Sequence, residues 1–453
     1  MRPKMRPTTR AAVLSAGALC IALSASACSG AGGGTSAGDQ NSINVLMVNN
    51  PQMEDLQKLT ADNFTKDTGI KVNYTVLPEN DVRAKISQEF SSQAGQYDVA
   101  SLSNYEIPFY SANGWLAPLD NVAKDTAFNQ GDILPAYTTS LTGKDGKLYG
   151  EPFYGESSFL MYRKDIFDAK GLTMPEKPTW DQVADLAAKA DGAAPGMKGI
   201  CLRGQPGWGQ VFAPLTTVVN TFGGTWFDKD WNAKVNAPEF TAATDFYVNL
   251  VRAHGEAGAA QAGFTECLNN MSQSKTAMWY DATSAAGSLE ADSSPVKGKI
   301  GYVQAPVKET KSSGWLWTWS WGVQAASKKQ DAAGKFIAWA SSKKYEELVA
   351  SKLGWAKVPS GKRISTYENA DFQKAAPFFQ AERTAIENAD PKNPGVQPRP
   401  VVGIQFVGIP EFADLGTTVS QGVSSAIAGQ GSVADALAKG QDAAQKIGDK
   451  YKK

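Results

Sequence analysis

The sequence predicts an α/β protein, and three observations carry that reading. The first globular stretch alternates strands and helices as β-α-β-α-β, the signature of an open α/β sheet. The length of 453 residues suggests two or three domains, or two lobes sharing one chain, at roughly 100–200 residues per domain. Hydrophobic residues are 42% and charged residues 20%, which supports a real core and excludes wholesale disorder.

The elements follow from spacing. Ile43-Asn44-Val45-Leu46-Met47-Val48 reads as a buried strand, and Asn49-Asn50-Pro51 as a turn. Glu54–Lys66 carries Leu56, Leu59 and Phe64 at helical spacing and stops near Gly69. Ile70, Val72, Tyr74 and Val76 alternate with polar residues, a period of two. Val82, Ile86 and Phe90 repeat every four, and Tyr97–Ala100 is a short strand. In such sheets ligands sit at the carboxyl ends of strands. Asn49-Asn50 and Asn104-Tyr105-Glu106 lie just past two of those ends. Further on, Thr179-x-x-Gln182 is a capping box for a helix Trp180–Ala190. Helices are also expected over Phe240–Ala253, over Lys328–Ala350 as one long element, and after Ser432-x-x-Asp435. Asp390–Pro400 reads as a Pro-rich loop.

The amino terminus reads as an address. Arg2, Lys4, Arg6 and Arg10 form a basic region without acids, and Ala11–Leu23 is apolar but too short to span a bilayer, which takes ~20 residues. Ala25-Ser26-Ala27-Cys28 is similar to a bacterial lipobox, with Ala25 where Leu is usual. The expectation is a signal peptide over 1–27, lipidation at Cys28 and a Gly-rich flexible tether over 28–41. The alternative is an ordinary secretory signal. Losing residues 1–27 removes four bases and no acid, leaving a net charge of −4. Cys201 and Cys267 are then the remaining thiols besides Cys28. Outside the cell such a pair is more often a disulfide than two separate buried thiols.

Composition excludes several chemistries. Lys+Arg and Asp+Glu are both 45, so nothing favours nucleic acid, whose binding rests on many phosphate contacts. A single His, His254, argues against zinc catalysis and a Ser-His-Asp triad. No Walker-type loop, EF-hand or His-x-x-x-His pattern is found, and neither a metal nor a cofactor is expected.

The residues that could carry function are aromatic and acidic. Trp315, Trp317, Trp319 and Trp321 share parity, so on a strand they share a face, and at least half should be core. Trp208 sits in a turn-rich loop, where core packing explains it less easily. An indole face suits the C–H face of a sugar or polyol. Glu156 and Asp281 are acids in strongly apolar stretches, each a structural ion pair or a ligand contact, and Arg203 is similar. Asp281 has no basic residue within four positions, which favours the ligand role. Acids, Arg and aromatic rings together form a hydroxyl-binding set. The same inventory could serve a secreted glycosidase, which needs two suitably spaced carboxylates. Glu382, Glu387 and Asp390 read as a solvated face.

The whole stretch after the signal resembles an extracellular solute-binding protein of an ABC importer, in the sugar-binding group related to maltose-binding proteins. The broad marks are Gly114-Trp115-Leu116-Ala117-Pro118-Leu119, Tyr149-Gly150-Glu151-Pro152-Phe153 and Tyr162-Arg163-Lys164-Asp165-Ile166-Phe167. Other strings resemble its polyol branch, the mannitol- and sorbitol-binding proteins. These include Phe153-Tyr154-Gly155-Glu156-Ser157-Ser158-Phe159, Pro206-Gly207-Trp208-Gly209 and Gln405-Phe406-Val407-Gly408-Ile409-Pro410. The resemblance implies a two-lobed periplasmic-binding-protein fold with a ligand cleft between the lobes. Lobe 1 would be 42–153 plus 318–372, and lobe 2 would be 154–317 plus 373–453. The cleft residues it implies are Asn50, Tyr105, Glu106, Glu156, Arg203, Trp208, Asp281, Trp317, Trp319 and Gln405. The implied role is a monomeric, lipid-anchored receptor on the outer face of a bacterial cytoplasmic membrane. It would pass a polyol or small sugar to a membrane permease and do no chemistry. A disaccharide or peptide binder on the same fold is the other reading.

Overall fold

The computed structural model describes residues 41–452. Cys28, the signal sequence and most of the tether lie outside the described residues. Among the described residues no helix is long and apolar enough to cross a membrane.

Among the described residues, ten strands form two sheets. The first contains β1 (Ser42–Val48), β2 (Lys71–Leu77), β3 (Val99–Ser103), β4 (Leu116–Ala117) and β5 (Glu151–Glu156). The second contains β6 (Ser158–Arg163), β7 (Lys198–Cys201), β8 (Thr276–Ala282) and β9 (Ile300–Gln304). The chain then returns to the first sheet with β10 (Trp317–Gln324). The order in the first sheet is β2-β1-β3-β10-β4, with β5 also on β10; in the second it is β7-β8-β6-β9. β1 runs parallel to β2 and β3, whereas β10 is antiparallel to β3, β4 and β5. β10 is buried along its whole length, as a strand paired on both sides and covered on both faces must be.

The crossing between sheets is abrupt. β5 stays paired with β10 through Glu156 opposite Trp317, beyond the expected boundary at 153, and β6 begins two residues later. Gly155 permits the adjoining strap to approach. A Cβ there would lie 2.4 Å from the Gly361 carbonyl oxygen, and Gly155 N–H donates to the Ser360 carbonyl at 3.1 Å.

Two local expectations are corrected. The stretch 328–350 is two helices, Gln330–Ala340 and Lys343–Leu353. The break comes from Ser342, whose side chain accepts from Tyr345 N–H and so caps a new helix. Glu382 is not part of a solvated face: it is fully buried and accepts from Ser360 Oγ and Tyr367 Oη, both at 2.9 Å. Glu387 and Asp390 are exposed. The capping box at Thr179 and Gln182 is formed with both hydrogen bonds.

Candidate ligand-binding cleft

The carboxyl ends of strands from both sheets meet at one cavity of about 360 Å³, within the range of small-molecule sites. Its walls include Asn50 after β1, Glu79 and Arg83 after β2, and Tyr154 and Glu156 on β5. The second sheet contributes Arg203 and Trp208 after β7, and Ser284 after β8. Trp315, Trp317, Trp319 and Gln405 also line it.

Asn50 caps the helix Pro51–Thr60 through its Oδ1 and donates from Nδ2 to Tyr154 Oη at 2.8 Å. The cap fixes its rotamer at the strand end. Arg83 lies one helical turn after Glu79 on the helix Glu79–Ser92, the spacing at which side chains meet. Its Nε and Nη2 donate to Glu79 Oε1 at 3.2 and 2.8 Å, and Nη1 donates to Glu106 Oε1 at 2.9 Å. The guanidinium also lies 4.3, 4.8 and 4.7 Å from the rings of Trp208, Trp317 and Trp319, a cation–π contact with each. Trp317 and Trp319 therefore face the cavity, while Trp321 of the same parity packs in the core on Phe153 and Phe336. Gly209 lets the Trp208 loop reach this cluster, since a Cβ there would sit 2.8 Å from Glu79 Oε1.

Glu156 belongs to the cavity and is nearly buried. Its Oε2 accepts from Ser284 Oγ at 2.5 Å. Burial pushes its carboxyl up to about 8, against the downward pull of the Ser284 hydrogen bond and of Arg203. At neutral pH the group is protonated and can both donate to and accept from a hydroxyl.

Three expected residues lie behind the wall. Asp281 is fully buried and does not line the cavity. Arg203 Nε and Nη2 donate to its Oδ2 and Oδ1 at 2.8 and 2.6 Å, and Trp279 Nε1 donates at 3.1 Å. The expectation that it is no ion-pair member is thereby corrected; its partner comes from 78 positions away. Burial works to lower the Arg203 pKa, but the Asp281 charge and hydrogen bonds outweigh it and raise it. Tyr105 donates to the Ile409 carbonyl at 2.8 Å and packs 4.7 Å from Trp208. Glu106 accepts from Arg83 and from Ser103 N–H at 2.9 Å each. Both support lining residues and leave the lining to Trp208 and Arg83. Asn50, Glu156, Arg203, Trp208, Trp317, Trp319 and Gln405 line the cavity together. Glu79, Arg83 and Ser284 were missed. The Glu79-x-x-x-Arg83 pair just past a strand end was the signal available for the first two.

Beneath Arg203, Cys201 and Cys267 are joined by a disulfide with Cα atoms 5.6 Å apart. The bond ties the end of β7 to the helix Phe264–Ser272, whose Phe264 and Glu266 also reach the cavity.

A cleft at strand carboxyl ends, walled from two sheets by indoles and hydrogen-bonding groups, is the site of a protein that binds small polar molecules. The family model described as bacterial extracellular solute-binding protein matches residues 49–347, and the chain belongs to that family. It is 40% identical over 402 residues to a mannitol-binding protein of Pseudomonas aeruginosa, covering 88% of this chain and 91% of the relative. A solved ABC-transporter solute-binding protein from Agrobacterium vitis S4 with bound D-mannitol superposes with a TM-score of 0.88 at 44% identity. That match covers 90% of this chain and 99% of the other. A ribitol complex from Agrobacterium radiobacter K84 gives 0.79 at 25% identity, covering 90% and 98%. The protein is thus a polyol- or sugar-binding component of an ABC transport system, acting outside the cytoplasm, and its relatives are binding proteins rather than enzymes. The glycosidase reading is not favoured.

Proposed function

We propose that this protein captures a linear hexitol, D-mannitol in the first instance, and delivers it to the permease of an ABC importer. The observation that carries the reading is the lining itself. The indoles of Trp208, Trp317 and Trp319 line one cavity together with the carboxyl and amide groups of Glu156, Asn50 and Gln405. A hexitol is a chain of C–H groups edged with hydroxyls, and this lining offers surfaces for both. The two sheets would be the cores of two lobes that close on ligand by a hinge at the strand crossings. Lobe 1 would hold 42–153 plus 318–372, extended along β5 to Glu156, and lobe 2 the remainder. Anchoring through a lipid on Cys28 would keep the monomer at the membrane beside its permease.

Calorimetry with D-mannitol, D-sorbitol, D-arabitol, xylitol and maltose tests the ligand class. Saturable binding of a hexitol, with a change in Trp fluorescence, is the expected result. Maltose bound more tightly than every alditol would overturn it. For the anchor, Cys28→Ala should release the protein from the membrane fraction, and retention of that variant would refute lipidation.

A further inference from the structure

Glu79 stands between two cations that approach from opposite walls of the cleft. Its Oε1 takes two hydrogen bonds from Arg83, at 2.8 and 3.2 Å. Its Oε2 lies 3.7 Å from Arg203 Nη1 and accepts from Gln210 Nε2 at 3.4 Å. Each arginine has a second carboxylate behind the wall: Glu106 for Arg83 and Asp281 for Arg203. Two guanidiniums therefore face three carboxylates before any ligand contributes charge. Arg203 Nη1 also donates to the Gly209 carbonyl at 3.0 Å, so most of its donors are engaged. The exposed parts of the lining add Asp81 and Glu266 and no further cation.

A guanidinium is the usual receptor for a carboxylate or phosphate, because its fork matches two oxygens. Here both forks are occupied by the protein's own acids. We propose that Glu79 is the specificity-determining residue of this cleft, neutralising an arginine from each wall so that uncharged polyols are accepted and anionic polyols refused. The proposal rests on the polyol-binding reading above and goes further, because it assigns charge selectivity to one residue. An aldonate or alditol phosphate entering the cleft would meet a surplus of negative charge at short range and low dielectric. It would have to displace Glu79 from both arginines to gain a cation. Removing the Glu79 charge cancels this surplus: two guanidiniums then face two carboxylates, and in Glu79→Ala Arg83 Nε and Nη2 also lose their acceptor.

The test is calorimetry with D-mannitol, D-mannonate and D-mannitol 1-phosphate on the unmodified protein, Glu79→Gln and Glu79→Ala, each checked for folding by circular dichroism. For the unmodified protein, mannitol should bind at least 100-fold more tightly than either anion. In the Glu79 variants the ratio of anion to mannitol affinity should rise at least tenfold, and anion binding should weaken as salt is added. A purely packing role for Glu79 would lower all three affinities together and leave the ratio unchanged, which would overturn the proposal. So would an unmodified protein that binds mannonate within threefold of mannitol, a result that needs no variant. Failure of mannitol and both anions to bind would instead overturn the polyol reading, and this inference with it.

Discussion

Two buried charge clusters in this molecule have similar composition and opposite designs. Lys362 and Arg363 are both fully buried, with acids, backbone carbonyls and the rings of Phe153 and Phe128 around them. Arg363 is fully buried and pairs with Asp132 at 3.2 Å. It also donates to the carbonyls of Phe128 and Ser341 at 3.0 and 3.1 Å. Lys362 lies 2.5 Å from Glu346 with both side chains buried. In the cleft, Arg83 and Arg203 hold acids on one side, while indole faces and a cavity of about 360 Å³ occupy the other. Burial and charge alone do not mark a binding site. What marks it is an open side: Lys362 and Arg363 are wholly enclosed by protein, whereas Arg83, Arg203 and Glu156 line a cavity with room for hydroxyls.

Substitutions can break or sharpen this contrast. Arg363→Ala and Asp281→Ala each strand a buried charge and should cost ~3–5 kcal/mol of stability, read by denaturant unfolding. Only Asp281→Ala should also weaken mannitol binding in the folded fraction, because it frees Arg203 at the cavity. Equal affinity losses in the two variants would erase the distinction between the clusters.

The next effect concerns pH. Burial raises Glu382 from 4.5 to about 7 despite the Ser360 and Tyr367 hydrogen bonds that lower it. A raised carboxyl favours the protonated folded state, so its contribution is complete below pH 4.5 and is lost as the pH rises to about 7. Over that interval the unmodified protein should lose roughly 3 kcal/mol relative to Glu382→Gln. Parallel stability–pH curves for the two would show that the carboxyl is not held neutral.

Glu156→Ala should weaken mannitol binding ~10–100-fold, the worth of one hydrogen bond donated and one accepted at ~0.5–1.5 kcal/mol each. The melting temperature of the unliganded protein should hold or rise, because an acid leaves an apolar setting. A sharp drop in melting temperature with near-normal affinity would move Glu156 to the structural class. The smallest effect is expected from Ser284→Ala. It removes a single donor to Glu156, and affinity should fall about fivefold, for ~1 kcal/mol. No change by calorimetry would mean that Ser284 does not orient the carboxyl.

Much of this was legible in one dimension. Strand and helix periods in the first hundred residues, the capping box at Thr179 and the Trp parity are local properties, set by backbone geometry and side-chain spacing. The motifs around Glu156 and Trp208 marked the region of the site for the same reason: they are contiguous. What the tertiary structure alone decided is pairing across distance. Asp281 finds Arg203 just past the end of the neighbouring strand of its sheet, Glu382 is roofed by Ser360 and Tyr367, and Glu79 meets an arginine from each wall of the cleft. Whether a charged residue binds ligand or locks the fold depends on which groups share its low-dielectric surroundings, and those are assembled by the crossings between two sheets rather than by neighbours in the chain.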